Sequence, residues 1–223
     1  MARYAAIVTF VVAAWTALYA QVVPVEKEPH HRVVFEDARL RVLDVVIPPG
    51  TTTLDHSHDH DLATVSIGQA DTRIRTAGAD WGPVRPRRPL GDTSTAEYAG
   101  KRGVHTIQNV GPDPYRLIAV ENVKQSGWHV VPAQAVPGVR PLTESRAFRA
   151  SSVRLKSGET LRRAHAVSSV LVLVSGDALV AARGHESRRL DQSSRWAVVG
   201  GDDAVVVTGQ GASEAHLVEI EVF

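Results

Sequence analysis

Between Asp55 and Asp61 the chain places three histidines and three aspartates within seven residues, directly after Pro48-Pro49-Gly50 and ahead of an apolar run. Imidazole and carboxylate donors together suit a divalent transition metal. Residues two apart share a face of an extended strand, so Leu54, His56 and His58 point the same way. Two neighbouring imidazoles on one face can chelate a single ion. Further along, His105-Thr-Ile-Gln-Asn109 offers a third. His105, Ile107 and Asn109 share one face of their strand, which suits a ligand, a packing residue and a polar support. Asp61 is in phase with Ala63, Val65 and Ile67, an apolar face expected to point into the core. A carboxylate there is costly unless paired or metal-bound, which makes Asp61 a candidate ligand or catalytic base, or a group orienting a histidine from behind. His60 is an alternative ligand if the strand bends at Asp59. Asp55 and Asp59 point away and read as solvated acids.

The composition narrows the donors. There is no cysteine, so thiolate metal sites, haem attachment through Cys and cysteine nucleophiles are excluded. Any transition-metal site must use His, Asp and Glu. The net charge is +1, with acids and bases interspersed, so no electrostatic footprint for nucleic acid and no polybasic block for anionic membranes is present. Arg85-Pro-Arg-Arg88, flanked by Pro83 and Pro89, reads as a solvated loop, with an anion-binding rim as the lesser reading. Arg73 and Arg75 alternate with Thr72 and Ile74 and are expected to face outward; facing inward, they would bind an anionic substrate. Trp81 and Tyr98 are pocket-wall candidates, although aromatic residues more often simply pack. His30 and His31 read as incidental.

These residues must be held by strands. Helical periodicity is almost absent after the N-terminus, and short β-branched runs alternate with Gly, Pro and Asp punctuation, the pattern of an all-β barrel or sandwich. Expected strands lie at 32–35, 39–47, 62–67, 71–76, 93–98, 104–110 and 115–123, then at 148–155, 169–174, 178–182, 195–199, 204–208 and 216–222. The two sets look like copies. Eighteen residues separate Gly50 from Gly68, and eighteen separate Gly158 from Gly176, and each half closes on an apolar strand carrying Glu121 or Glu221. In that glycine register His56 matches Ala164, His58 matches Ala166 and Asp61 matches Ser169, so the second copy has lost the donors. His165 is one residue out of phase. The division expected is a leader over 1–20, a metal-binding barrel over 30–123, a connecting segment over 124–146 and a structural second barrel over 147–223.

The pattern resembles the cupin superfamily, whose barrels are double-sheet jelly rolls. Gly50, His56, His58, Asp61 and Gly68 follow the first motif of that family, and Gly103, His105 and Asn109 follow the second. Three departures stand out: Asp61 replaces the usual Glu after a shorter gap, Lys101 stands where the second motif has proline, and Gly103 is one residue closer to the histidine. The resemblance implies two tandem jelly-roll barrels, with a metal held by His56, His58 and His105 and Asp61 as fourth ligand or base. The implied ion is Fe, Mn, Ni or Zn, and the implied activity is a metal-dependent oxygenase acting on a small organic molecule. A non-catalytic metal- or ligand-binding module is the alternative, with the second barrel structural or forming a homodimer. Metal-independent isomerase chemistry is a third reading, against which the clustered histidines argue.

The N-terminus reads as an address. Met1-Ala-Arg3 is a short basic start, Tyr4 to Ala20 is free of charge, and Ala20-Gln21 follows the small-residue rule for cleavage. An uncleaved anchor running to about Val23, near the ~20 residues that span a bilayer, is the alternative. N-terminal sequencing of native material should find a periplasmic or secreted chain beginning at Gln21; full-length cytoplasmic protein would contradict this.

Overall fold

The computed structural model describes residues 22–124, 136–164, 166–182, 184, 186–201 and 204–223. The expected leader and His165 lie outside them. Among the described residues there is no α-helix. The first half contributes β1 (Val23–Pro24), a 3-10 turn at Val25–Lys27, β2 (His31–Glu36), β3 (Leu40–Ile47), β4 (His56–His58), β5 (Asp61–Ser66), β6 (Thr72–Thr76), β7 (Thr93–Ala96), β8 (Gly103–Asn109) and β9 (Tyr115–Asn122). The second contributes β10 (Val139–Glu144), β11 (Phe148–Leu155), β12 (Thr160–Ala164), β13 (Ser169–Ser175), β14 (Asp177–Ala182), β15 (Arg188–Leu190), β16 (Trp196–Val199), β17 (Ala204–Gln210) and β18 (Ala215–Val222).

Each half is a pair of sheets closing on one another. Four-stranded sheets run β1-β4-β8-β6 and β12-β17-β14-β15, and five-stranded sheets run β2-β3-β9-β5-β7 and β10-β11-β18-β13-β16. The halves repeat except at one edge of each smaller sheet, where β1 beside β4 and β15 beside β14 have no counterpart. Arg41 pairs with Glu121 and Arg149 with Glu221 across matching ladders. The expected all-β, two-barrel jelly roll is therefore the fold observed.

Two details differ from the expectation. The segment expected to connect the barrels includes β10, which pairs along β11, so the second barrel's sheet begins before residue 147. Pro141 lies within β10, but β10 is the sheet edge and Pro141 sits at its bulge, where a missing ladder donor is tolerated. The register of the repeat also shifts. Leu62 faces Glu121 and Ser169 faces Glu221, so Ser169 answers to Leu62 and not to Asp61.

Three apolar clusters hold the molecule. Leu43, Val45, Ile47, Leu62, Leu117 and Ala119 fill part of the first barrel. A larger set, including Val153, Leu155, Leu171, Leu173, Val205 and Leu217, fills the second. The third lies between the barrels, where the two five-stranded sheets pack face to face through Leu40, Val42, Ala63, Val65, Ile118 and Val120 against Phe148, Val170, Val172, Val218 and Ile220. Phe148 is fully buried there. Phe148→Ala should cost about 3–5 kcal/mol, the usual range for truncating a buried aromatic side chain, read as a lowered urea midpoint; an unchanged midpoint would show that the sheets do not depend on this contact.

Candidate metal centre

Ladder geometry assembles the site. β4 runs antiparallel to β8, placing His56 opposite His105 and His58 opposite Gly103. Ring centroids are 4.5 Å apart for His56 and His105, 5.0 Å for His58 and His105, and 5.2 Å for His56 and His58. One nitrogen from each of the three rings lies within 4.8 Å of the others. Nδ1 of His56 sits 2.9 Å from the Leu54 carbonyl. A carbonyl only accepts, so Nδ1 carries the proton and Nε2 keeps its lone pair. The Leu54 side chain itself is exposed, against the expectation that it would share the inward face.

The donor set fits a cation. Nε2 of His56 and both ring nitrogens of His58 are buried without a hydrogen-bond partner, and orphaned buried groups cost about 1–3 kcal/mol each. Burial pushes His56 down to about 4 and, aided by the neighbouring imidazoles, His105 down to about 2. Both are therefore neutral near pH 7, the form that donates a lone pair to a metal.

Behind the imidazoles stand groups that sequence reasoning missed. Glu121 is fully buried; one oxygen accepts from Arg41 at 2.8 Å and the other lies 3.6 Å from His58 Nδ1. It is a carboxylate facing a candidate ligand histidine from behind, a placement common in metal sites. The sequence signal was a lone glutamate on the apolar face of β9. His31, read as incidental, is buried with its ring 4.5 Å from His56 and its Nδ1 2.6 Å from Glu28. Glu28 also accepts from the Leu54 N–H, and β1 runs parallel beside β4, so residues 23–31 wall the site. Tyr98 stacks on His58 at 5.1 Å. A Cβ at Gly103 would meet that ring at 2.2 Å, so this position must be glycine for the aromatic clamp to sit. Asn109 donates to the Ile47 and Asp113 carbonyls and accepts from the Gly111 N–H; it ties loops together, the polar support expected.

Asp61 is a correction. Its side chain leaves the barrel on the opposite face, accepting from the Ala99 N–H at 2.8 Å and from the Arg146 guanidinium at 3.2 and 3.3 Å. The apolar face it shares with Ala63 and Val65 is real, but that face packs on the second barrel. His60 is half-buried on the bend after β4, near Glu36 and outside the imidazole group. Asp59 is exposed and pairs with Arg102, while Asp55 accepts from Thr106 and Arg75. Arg73 and Arg75 face outward over Trp81, as expected.

The second barrel has no such centre among its described residues. Asn109 and Gly209 hold the same place, each bonded back to the loop that starts at Gly50 or Gly158. By that register Val205 stands for His105, and its partner Arg163 stands for His56. The Arg163 guanidinium pairs with Glu219 and Glu221. A fixed side-chain cation thus occupies the region where the first barrel gathers imidazoles.

Beside the imidazoles opens a cavity of about 260 Å³, walled by Val45, Leu62, Ile74, Ile107, Leu117 and Ala119 and bordered by His58 and His105. Fold and pocket together define a two-barrel β protein with, among the described residues, a three-imidazole cluster in the first barrel only. That fold is the cupin fold. The protein AerE from Microcystis aeruginosa matches with a TM-score of 0.61 at 11% identity, over 88% of this chain and 98% of that one. Salicylate 1,2-dioxygenase from Pseudoaminobacter salicylatoxidans, in a structure of its adducts with gentisate, matches at 0.61 and 13%, over 83% and 68%. A cupin 2 conserved barrel domain protein from Leptotrichia buccalis matches at 0.53 and 12%, over 86% and 87%. At such identities the likeness is one of fold. No protein-family model matches the chain, and no curated protein matches it by sequence.

Removing a group behind a ligand typically weakens metal binding ~10–100-fold, so His56→Ala, His58→Ala or His105→Ala should cost at least that in chelator competition. Asp61→Asn should keep its metal content and lose stability instead, because the ion pair between the buried Asp61 carboxylate and Arg146 is lost. Metal loss in Asp61→Asn with normal stability would restore it as a ligand.

Proposed function

We propose that His56, His58 and His105 hold a divalent transition metal and that the chain is a metal-dependent oxygenase acting on a small organic molecule. One observation carries the reading: three imidazoles, two buried with orphaned nitrogens and the third half-buried, converge beside a small, largely apolar cavity. A bound ion of this kind supplies a Lewis-acidic centre with coordination positions left over for small ligands. The chain's own residues do the rest. The Leu54 carbonyl fixes the tautomer of His56, Glu121 and Tyr98 hold His58 from two sides, and the aliphatic walls limit water around the reacting end of a substrate. The similar salicylate dioxygenase, whose structure contains gentisate, supports a small-molecule reaction of the oxygenase type. Export, for which the leader-like residues 1–20 speak, is part of the same proposal.

The test is metal analysis of the purified chain, followed by oxygen uptake with small organic substrates. A near-stoichiometric transition metal that is lost in His56→Ala, together with substrate-dependent oxygen uptake, is the expected result. Metal without any oxygen uptake would make the chain a non-catalytic binding module. Metal retained in the His56→Ala, His58→Ala double variant would end the reading altogether.

A further inference from the structure

The cavity beside the imidazoles is electrically one-sided. Among its lining residues are two arginines, Arg85 and Arg88, and no carboxylate. The acids behind the histidines do not offset them, since Glu28 is taken by His31 and Glu121 by Arg41. The two arginines differ in what they are free to do. Arg88 is tied down: its Nε donates to Asp92 at 2.6 Å, and Nη1 reaches Ser94 at 3.2 Å and Thr64 at 3.4 Å. Arg85 is fixed only through its backbone, which exchanges hydrogen bonds of 2.7 and 3.0 Å with Thr72 on β6. Its exposed guanidinium makes no hydrogen bond or ion pair among the described residues. Arg85 lines the same cavity as His58 and His105.

We propose that this cavity selects a small organic carboxylate, with the Arg85 guanidinium receiving the carboxylate and the apolar wall receiving the carbon skeleton. A free guanidinium with a rigid backbone is pre-organised for a paired, two-bond contact with a carboxylate. A cleft of one sign with low-dielectric walls concentrates ligands of the other sign. The volume, about 260 Å³, admits a single ring or a short chain rather than an extended polymer. Arg88, neutralised by Asp92, shapes the wall and hydrogen-bonds the side chains around it. The proposal rests on the preceding reading for what the far end of the ligand meets, but not for the anion preference itself.

Calorimetric titration of the full metal-loaded chain with benzoate, and with benzamide as its neutral counterpart of the same shape, tests this. Benzoate should bind at least tenfold more tightly than benzamide. Arg85→Gln should remove most of that preference while leaving metal content and benzamide binding unchanged, and Arg85→Lys should restore part of it. Arg73→Gln, outside the cavity over Trp81, should change nothing. Equal binding of the two probes, binding of neither, or an unchanged benzoate affinity in Arg85→Gln would overturn the proposal. The two readings fail separately. A benzoate preference lost in Arg85→Gln but found in a chain that takes up no metal keeps the anion site and removes the metal centre. A loaded metal with no preference does the reverse.

Discussion

The packing of one five-stranded sheet against the other governs the rest of the structure. Strand β5 is buried at every position, because one of its faces looks into the first barrel and the other onto the second. A strand covered on both sides cannot show the simple alternation of a half-solvated sheet. It must place each polar residue where a partner exists on that particular side. Leu62 and Thr64 face the cavity, whereas Asp61 faces the interface and finds Arg146 arriving from the neighbouring barrel. The contact that joins the barrels therefore also decides which side chains are left for chemistry.

Within the first barrel a second constraint operates. Three imidazoles are brought together with few hydrogen-bond partners, an arrangement that folding alone would not favour. It persists because the surroundings over-determine it. The β4–β8 ladder fixes two histidines opposite each other, the Leu54 carbonyl fixes a ring, and Tyr98 fits only over a glycine at position 103. Stability given up locally is offset by the apolar clusters on either side.

How much of this could be read in the residues follows from where the information is local. His56-Ser-His58 and His105 carried their meaning in spacing alone, since a two-residue period on a strand is a direct statement about faces. The all-β class and the repeat were equally plain. Asp61 misled because its apolar phase was genuine but belonged to the other face of its sheet. Glu121 was visible as a charge breaking an apolar alternation and recurs as Glu221, yet its nearness to His58 depends on strands far apart in sequence. His31 gave no local sign at all; only the parallel docking of β1 on β4 and the turn after it bring it in. Arg163 was hidden by a one-residue register shift, which made Ala164 the apparent counterpart of His56.

That arginine has a consequence for how the two halves endure their surroundings. Arg163 is a cation attached to the chain by covalent bonds, balancing Glu219 and Glu221 in the second barrel. It cannot be diluted, chelated or exchanged. If the first barrel takes an ion from the medium, its share of the folding free energy varies with the supply of that ion, while the second barrel's does not. The duplicated fold then pairs one half that responds to its environment with one that is indifferent to it. The shared apolar interface joins the responsive half to the indifferent one.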